Sequence, residues 1–141
     1  MPSHRIRRQV FLSHASPDTW VALQLARQIE KLGATTFLDE KHIAAGADFE
    51  ERILVELRRS HELVVLLTPW ALERPYVWAE IGAAWGKRLL IIGLLHGLTA
   101  QDIDTKPSFP VMKSRNLIQL NNVDKYFTEL RSRIKGQARV S

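Results

Sequence analysis

The sequence predicts an α/β protein built on a five-stranded, doubly wound parallel sheet with helices on both faces. Four short apolar runs, at 10–13, 35–39, 63–68 and 89–95, lack polar alternation, as strands buried on both faces do. A fifth candidate strand spans 117–120. Amphipathic helical patterns lie between the runs, and strands that alternate with helices form βαβ units and a parallel sheet.

The helices carry their own start and stop signals. Gly33 ends the first helix, which opens at the Ser-Pro pair 16–17. Asp48, with Glu51 three residues later, resembles a capping box and opens the second. Pro75 occupies the first position of the third, and the last begins at about Asp124. The segment 96–116 is predicted to be irregular apart from a short helix at 100–103.

Right-handed crossovers leave few topologies for such a chain. The common order for five strands is 2-1-3-4-5, the flavodoxin-like arrangement, whose switch point lies between strands 1 and 3. Ligands bind there, at the carboxyl ends of the strands. The loops "SHASPD" (13–18) and "TPWALERP" (68–75) border that crevice. The sequence therefore predicts a functional site between these two loops.

Length and composition indicate one domain over 1–141, with a core of about 8–135 and basic tails at both ends. No apolar run approaches the roughly 18 residues needed to span a bilayer, and no secretory leader pattern opens the chain, which favours the cytoplasm. The absence of cysteine excludes disulfides, thiol catalysis and thiolate metal sites. The net charge is +5, and seven of the twenty Lys and Arg residues lie near the ends: Arg5, Arg7, Arg8, Arg131, Arg133, Lys135 and Arg139. These are expected to be mostly solvated side chains.

Several common chemistries lack their motifs. Neither Gly-x-Gly-x-x-Gly nor the Gly-x4-Gly-Lys-Ser/Thr phosphate loop occurs, so dinucleotide-dependent hydride transfer and ATP hydrolysis are not expected. The five histidines are scattered, so no metal site is predicted. Ser13 lacks the flanking glycines of a nucleophile elbow.

Glu80 is the single acidic residue of the helix that follows the second crevice loop. On a helical wheel, Val77, Ile81, Ala84 and the two tryptophans Trp78 and Trp85 form an apolar arc, and the tryptophans are expected to anchor the helix to the sheet. Glu80 lies at the edge of this arc, on the flank of Tyr76, and is predicted to be a boundary residue. No Lys or Arg stands four residues away to form a helix ion pair.

Three blocks, "VFLSHAS" (10–16), 37–60 and 63–95, resemble the Toll/interleukin-1 receptor (TIR) domain family, and in particular its prokaryotic NAD-cleaving members. The resemblance is dense over about 8–96. It places a mobile BB loop at 41–47, with its glycine at Gly46, and a catalytic glutamate at Glu80. Tyr76 stands where the family usually has Trp, and Pro75 replaces a small polar residue.

The resemblance implies an NAD+ glycohydrolase or cyclase, with NAD+ as substrate and no resident cofactor or metal. Glu80 would be catalytic, with Trp70 and Arg74 as further candidates near the substrate. The substrate-binding residues that it implies are Phe11, Ser13, His14, Asp39, Lys41 and Tyr76. Phe11 also suits a purely structural place in the core, and Asp39 could instead cap the loop that follows it.

The alternative function is a non-catalytic TIR interaction module. Homotypic self-association is implied for either function, through the BB-loop residues Ile43, Ala45 and Gly46. The family also suggests antiphage signalling with a separate effector or sensor protein, with the chain either a stand-alone enzyme or a piece of a longer protein. Nucleic-acid binding, suggested by the net charge, ranks last because basic and aromatic residues do not interleave. No membrane association is expected.

Overall fold

A computed structural model describes residues 7–38, 49–104 and 116–140. Strands and helices alternate along the chain as predicted. The strands are β1 (Gln9–Ser13), β2 (Thr35–Leu38), β3 (Glu62–Leu67), β4 (Leu90–Leu95) and β5 (Leu117–Gln119). The helices are α1 (Thr19–Lys31), α2 (Phe49–Arg59), α3 (Pro75–Gly86), α4 (Ala100–Asp104) and α5 (Val123–Val140). Short 3-10 turns cover Ser16–Asp18, Ala71–Glu73 and Leu120–Asn122.

The five strands form one parallel sheet in the order β2-β1-β3-β4-β5. The predicted fold class and strand order are confirmed. In the register, Phe11 on β1 lies opposite Phe37 on β2 and Leu63 on β3. The chain order reverses between β1 and β3, so their carboxyl ends open the expected crevice.

Alternate residues of each strand face two separate hydrophobic layers. Phe11 and Val65 pack with Val77 and Ile81 in the layer covered by α2 and α3. Val10 and Leu12, with Tyr126 and Leu130 of α5 and the apolar face of α1, form the other layer. Every residue of β3 is buried, because this central strand is covered on both faces.

Several predicted helix boundaries agree with the structure. Gly33 follows α1 with φ of +109°, a left-handed conformation that glycine adopts without strain. Pro75 is the first residue of α3, and the short helix α4 occupies the predicted place. The proposed capping residue Asp48 lies outside the described residues.

The amino ends of the strands are held by a buried carboxylate that no sequence motif predicted. Glu62, the first residue of β3, is fully buried. Its Oε1 accepts hydrogen bonds from Arg8 Nε at 2.7 Å and from Arg133 Nε at 3.0 Å. Its Oε2 accepts from Arg133 Nη2 at 3.0 Å and from the Tyr126 hydroxyl at 2.6 Å. Arg8 and Arg133, expected to be solvated tail residues, instead join the start of β1 and the last helix to β3.

Hydrogen bonding governs the ionisation of Glu62. Burial by itself would raise the pKa of this carboxyl, but hydrogen bonds from Arg133, Tyr126 and Arg8, with the charge of Arg133, hold the pKa below its ordinary value of 4.5. The same burial, with the neighbouring Glu62 charge, raises the pKa of Tyr126 far above its ordinary range. Glu62 is therefore ionised and Tyr126 is neutral in the folded protein.

Replacing Glu62 by Gln should lower the free energy of unfolding by about 2–3 kcal/mol. The substitution removes the negative charge that pairs with the guanidinium groups of Arg8 and Arg133. The loss of stability stays moderate because water reaches both guanidinium groups in part. Urea unfolding measures this change. The exposed Glu73, changed to Gln, should shift stability by no more than about 0.5 kcal/mol, and equal losses in the two variants would contradict a role for the Glu62 cluster.

Acid should destabilise the protein in two steps. Burial and the nearby Arg8 charge lower the pKa of His61, whose Nδ1 accepts a hydrogen bond from the Gln9 amide at 2.9 Å. Both pKa values are lower in the folded protein than in the unfolded chain, so each group stabilises the fold when it is deprotonated. The stabilisation by His61 is complete above its ordinary pKa of 6.5 and is lost as the pH falls below it. The stabilisation by Glu62 is complete above 4.5 and is lost at lower pH. Unfolding free energies measured against pH should show both losses. His61→Gln should abolish the first and keep the second; two unchanged steps would disprove the assignment.

Candidate active site

The centre of the crevice is a hydrogen bond between the last residue of β1 and helix α3. The Ser13 side chain lies on the same face of the sheet as Phe11, since side chains alternate along a strand, and α3 covers that face. Ser13 Oγ donates to Glu80 Oε1 over 2.6 Å, and both side chains are buried, at 0% and 3% exposure. The sheet and the helix thus enclose a carboxylate at the switch point.

The prediction that Glu80 is a boundary residue is wrong, as is the anchoring role given to Trp85. The buried face of α3 consists of Val77, Glu80, Ile81 and Ala84, whereas Trp85 is 61% exposed. At 100° per residue, this face is rotated by roughly 50° from the predicted arc, toward Glu80. Because α3 is apolar on nearly every side, periodicity alone did not determine which side packs on the sheet. Trp78 is partly buried and donates from Nε1 to the Leu72 carbonyl at 2.8 Å.

Two further hydrogen bonds join the crevice loops to each other and to α3. The Thr68 hydroxyl donates to Asp18 Oδ2 at 2.6 Å and accepts from the Ala71 amide at 3.1 Å. The Tyr76 hydroxyl donates to the His14 carbonyl at 3.0 Å. Asp18 and Thr68 were not predicted as site residues from the sequence, where their only signal is their position in the two crevice loops. These contacts hold loop 13–18 against the start of α3.

The structure brings together four of the predicted site residues: Ser13, His14, Tyr76 and Glu80. His14 is fully buried, with Nε2 at 3.4 Å from Thr19 Oγ1. Phe11 lies beneath them and is fully buried, with its ring centroid 5.1 Å from that of Phe37, which is the core position given as its alternative.

The remaining candidates lie at the periphery of the crevice or outside the described residues. Trp70 is 52% exposed and Arg74 is exposed beside the crevice. Five predicted residues lie outside the described residues, and their roles stay predictions: Asp39, Lys41, Ile43, Ala45 and Gly46.

Neither a metal centre nor a membrane segment is found in the described part of the chain. Across 7–38, 49–104 and 116–140, no group of three or more His, Asp or Glu side chains is placed to hold a metal ion. Within the same ranges, no helix combines the length and the apolar character needed to cross a bilayer.

Comparison with known families decides the relationship that the three sequence blocks suggested. The family model of the TIR domain matches residues 10–134. This chain belongs to the TIR domain family. The matched range contains both crevice loops and the whole sheet except Gln9, the first residue of β1, so the Ser13–Glu80 contact lies within the TIR fold itself.

Solved structures that resemble this TIR domain support the fold. The TIR domain of the Toll-related receptor TRR-2 from Hydra magnipapillata has 19% identity and a TM-score of 0.67, covering 86% of this chain and 97% of its own. The TIR domains of the activated Roq1 resistosome have 16% identity and a TM-score of 0.59, covering 95% and 85%. A prokaryotic SEFIR domain has 17% identity and a TM-score of 0.57, covering 91% and 92%. A comparison with curated protein sequences finds no match.

Removing the Tyr76 hydroxyl should destabilise the crevice slightly without creating a cavity. Tyr76→Phe keeps the ring and loses the bond to the His14 carbonyl, so the free energy of unfolding should fall by about 1 kcal/mol. Thermal or urea unfolding of the variant and the parent protein measures the difference. Unchanged stability would mean that this bond does not hold loop 13–18 against α3.

Proposed function

We propose that this TIR domain is an NAD+ glycohydrolase or cyclase that cleaves the bond between nicotinamide and ribose. The observation that carries the proposal is the Glu80 carboxylate, 3% exposed and bound by Ser13 at the carboxyl ends of β1 and β3. Support comes from the position of Glu80 in the helix that resembles the catalytic segment of NAD-cleaving TIR domains. NAD+ is the substrate, and no further cofactor is required.

The chemistry suits a single carboxylate. Nicotinamide carries a positive charge in NAD+ and departs neutral, so no general acid is needed to protonate the leaving group. This removes one member of the carboxylate pair that most glycosidases use. The remaining task is to stabilise an oxocarbenium-like ribosyl group, which the fixed negative charge of Glu80 can do by attraction and by accepting hydrogen bonds from ribose. Asp18, a second buried carboxylate at the crevice, accepts a hydrogen bond from Thr68.

Ser13 indicates how ribose would reach Glu80. In the structure the serine hydroxyl donates to Glu80 Oε1, which is the interaction that a ribose hydroxyl offers. Binding of ribose would therefore exchange one hydroxyl donor for another, without leaving the buried carboxylate unsolvated. Water is largely excluded around Glu80, and a low local dielectric strengthens the attraction between its charge and the ribosyl cation.

Other crevice groups supply binding rather than chemistry. Tyr76, partly buried at the start of α3, offers an aromatic face for nicotinamide. Arg74 and Lys41 are the proposed partners of the pyrophosphate. Water attack on the ribosyl cation gives ADP-ribose, whereas attack by the adenine or a ribose hydroxyl of the same molecule gives a cyclic ADP-ribose. One proton leaves the attacking group in either case.

An interaction module that assembles with other TIR domains is the second candidate. It is supported by the similarity to the TIR domains of the activated Roq1 resistosome, an assembly that recognises the pathogen effector XopQ. Self-association through Ile43, Ala45 and Gly46 is compatible with catalysis. The role proposed for this chain is cytoplasmic immune signalling against phage, triggered by a separate sensor or effector.

Glu80→Gln should reduce nicotinamide release from NAD+ by at least about 100-fold while the protein stays folded, because the amide keeps the shape and removes the charge. Chromatography of nicotinamide, ADP-ribose and cyclic products, with concentrated protein and NAD+, measures the rate and names the product. Glu73→Gln is the matched control, since it removes an exposed carboxylate just before α3 and should retain activity.

Two results would reject the enzymatic proposal. Equal nicotinamide release by parent and Glu80→Gln would show that this carboxylate is not catalytic. No release by the parent, even when the protein is clustered on a bead or by crowding agents, would favour the interaction module. Circular dichroism of each variant separates a lost fold from a lost reaction.

A further inference from the structure

The edge of the sheet opposite the crevice carries a strong positive charge. In a doubly wound sheet, the helices end where the next strands begin, so helix ends and strand starts share one edge, here named the amino edge. Its exposed basic residues are Arg7, Lys31, Arg58, Arg59, Lys87, Arg88, Arg131 and Lys135. The end of α5 also lies at this edge. Arg133 donates hydrogen bonds to Glu62, and Ile134 Cγ2 lies 3.9 Å from where a Cβ would stand at Gly33.

The acidic residues near this edge do not neutralise it. Glu56 and Glu62 are buried and turned toward their own partners, and Arg59 lies 3.6 Å from Glu56. Within the described residues, the other seven exposed basic side chains form no ion pair. Glu30, which accepts a hydrogen bond from Thr36, is the one exposed acid on the described part of the edge.

The crevice edge has the opposite charge. Its described acidic residues are Asp18, Glu51, Glu73, Glu80, Asp102, Asp104 and Asp124, against the three basic residues Arg52, Arg74 and Lys125. The protein is therefore polarised along the strand direction, although its net charge is only +5. Such a separation creates a one-sided positive field that attracts polyanions to the amino edge.

The basic groups follow the whole amino edge and lie on both faces of the sheet, because α1 packs on one face and α2 and α3 on the other. Four neighbouring strands, in the order β2-β1-β3-β4, are each preceded by exposed basic residues: Lys31, Arg7, Arg58 and the pair Lys87 and Arg88. Strands lie about 4.8 Å apart, so these four strand starts extend over about 14 Å. A nucleic-acid duplex presents about one phosphate charge per 1.7 Å of its axis, so a basic edge of this length faces several phosphates.

Arg88 has a strained backbone conformation that does not stabilise the fold. Its φ is +59°, a left-handed conformation in which side chains are strained, and it occupies the place after α3 that Gly33, at φ of +109°, occupies after α1. The side chain is exposed, so packing does not require it. A charge kept at a strained backbone position points to a function for that charge. Lys and Arg in the last turn of a helix also favour its dipole, but this accounts for neither Arg7 nor the strain at Arg88.

We propose that the amino edge binds the phosphate backbone of double-stranded nucleic acid, without reading base sequence. A lipid surface is a poorer match, because Trp85, 61% exposed, is the one large exposed apolar side chain on the described part of this edge, and stable membrane binding needs more apolar area. From the sequence alone, nucleic-acid binding ranked last because basic and aromatic residues do not interleave, as they do in proteins that bind single strands. The fold gathers basic residues from separate segments at one edge. This inference is independent of the proposed reaction, since it uses the opposite edge of the sheet.

Two lysines of α5 provide a matched test. Lys135 lies on the amino edge and Lys125 in the first turn of the same helix, ten residues or about 15 Å away. Both are exposed, and Lys135→Gln and Lys125→Gln lower the net charge equally. With a fluorescein-labelled duplex of random sequence, fluorescence anisotropy between about 50 and about 200 mM salt should show a salt slope about one unit smaller for Lys135→Gln. Its affinity near 50 mM salt should fall roughly three- to tenfold, and Lys125→Gln should match the parent.

Arg88→Gly separates binding from stability. Glycine relieves the left-handed strain, so the thermal midpoint should stay the same or rise, while duplex affinity should fall as for Lys135→Gln. The proposal is overturned if the parent does not bind the duplex at about 50 mM salt, if Lys125→Gln and Lys135→Gln weaken binding equally, or if phosphatidylserine-rich vesicles bind the parent better than the duplex does. Nicotinamide release from NAD+ reports separately on the crevice.

Discussion

The central strand β3 is buried along its whole length, and this burial determines both ends of the sheet. A polar side chain at either end of a buried strand must find a partner within the protein. At one end Glu62 is held by Arg8, Arg133 and Tyr126. Just beyond the other end, Thr68 is held by Asp18 and the Ala71 amide. The first cluster joins three parts of the chain far apart in sequence, and the second fixes the loops of the crevice.

The burial of Glu80 follows from the same architecture. Helix α3 packs on the layer that contains Phe11 and Val65, and its rotation places a carboxylate against Ser13 at the end of the neighbouring strand. A carboxyl group enclosed in this way needs a hydrogen-bond partner within the protein, and the Ser13 hydroxyl supplies one. In the proposed reaction, the same enclosure would strengthen the attraction between the Glu80 carboxylate and a developing positive charge. The packing of α3 and the proposed reactivity therefore involve the same contact.

Basic and acidic residues lie at opposite ends of the parallel strands. Helices in a parallel sheet all end at the amino edge, where cations are favoured, and all begin at the crevice edge, where anions are favoured. The positive charge exposed at the amino edge of this domain exceeds what helix ends alone would give. The carboxylates near that edge are mostly buried, and Arg7 and Arg88 add charge outside the helices. The two edges are thus suited to different partners, and neither needs the other to be occupied.

The sequence by itself determined the fold, since apolar strand runs, the glycine after α1 and the proline opening α3 are local signals that tertiary packing reinforces. It also predicted the crevice, because topology places the ends of β1 and β3 together, and it singled out Glu80 from its place near that crevice and from the resemblance of its segment to the TIR family. Only the tertiary structure decided that Glu80 is buried and Trp85 exposed, since a helix apolar on most sides does not specify which side packs. It alone revealed the Glu62 cluster and the basic amino edge, because both join residues from distant segments. Sequence spacing carries no signal for such contacts.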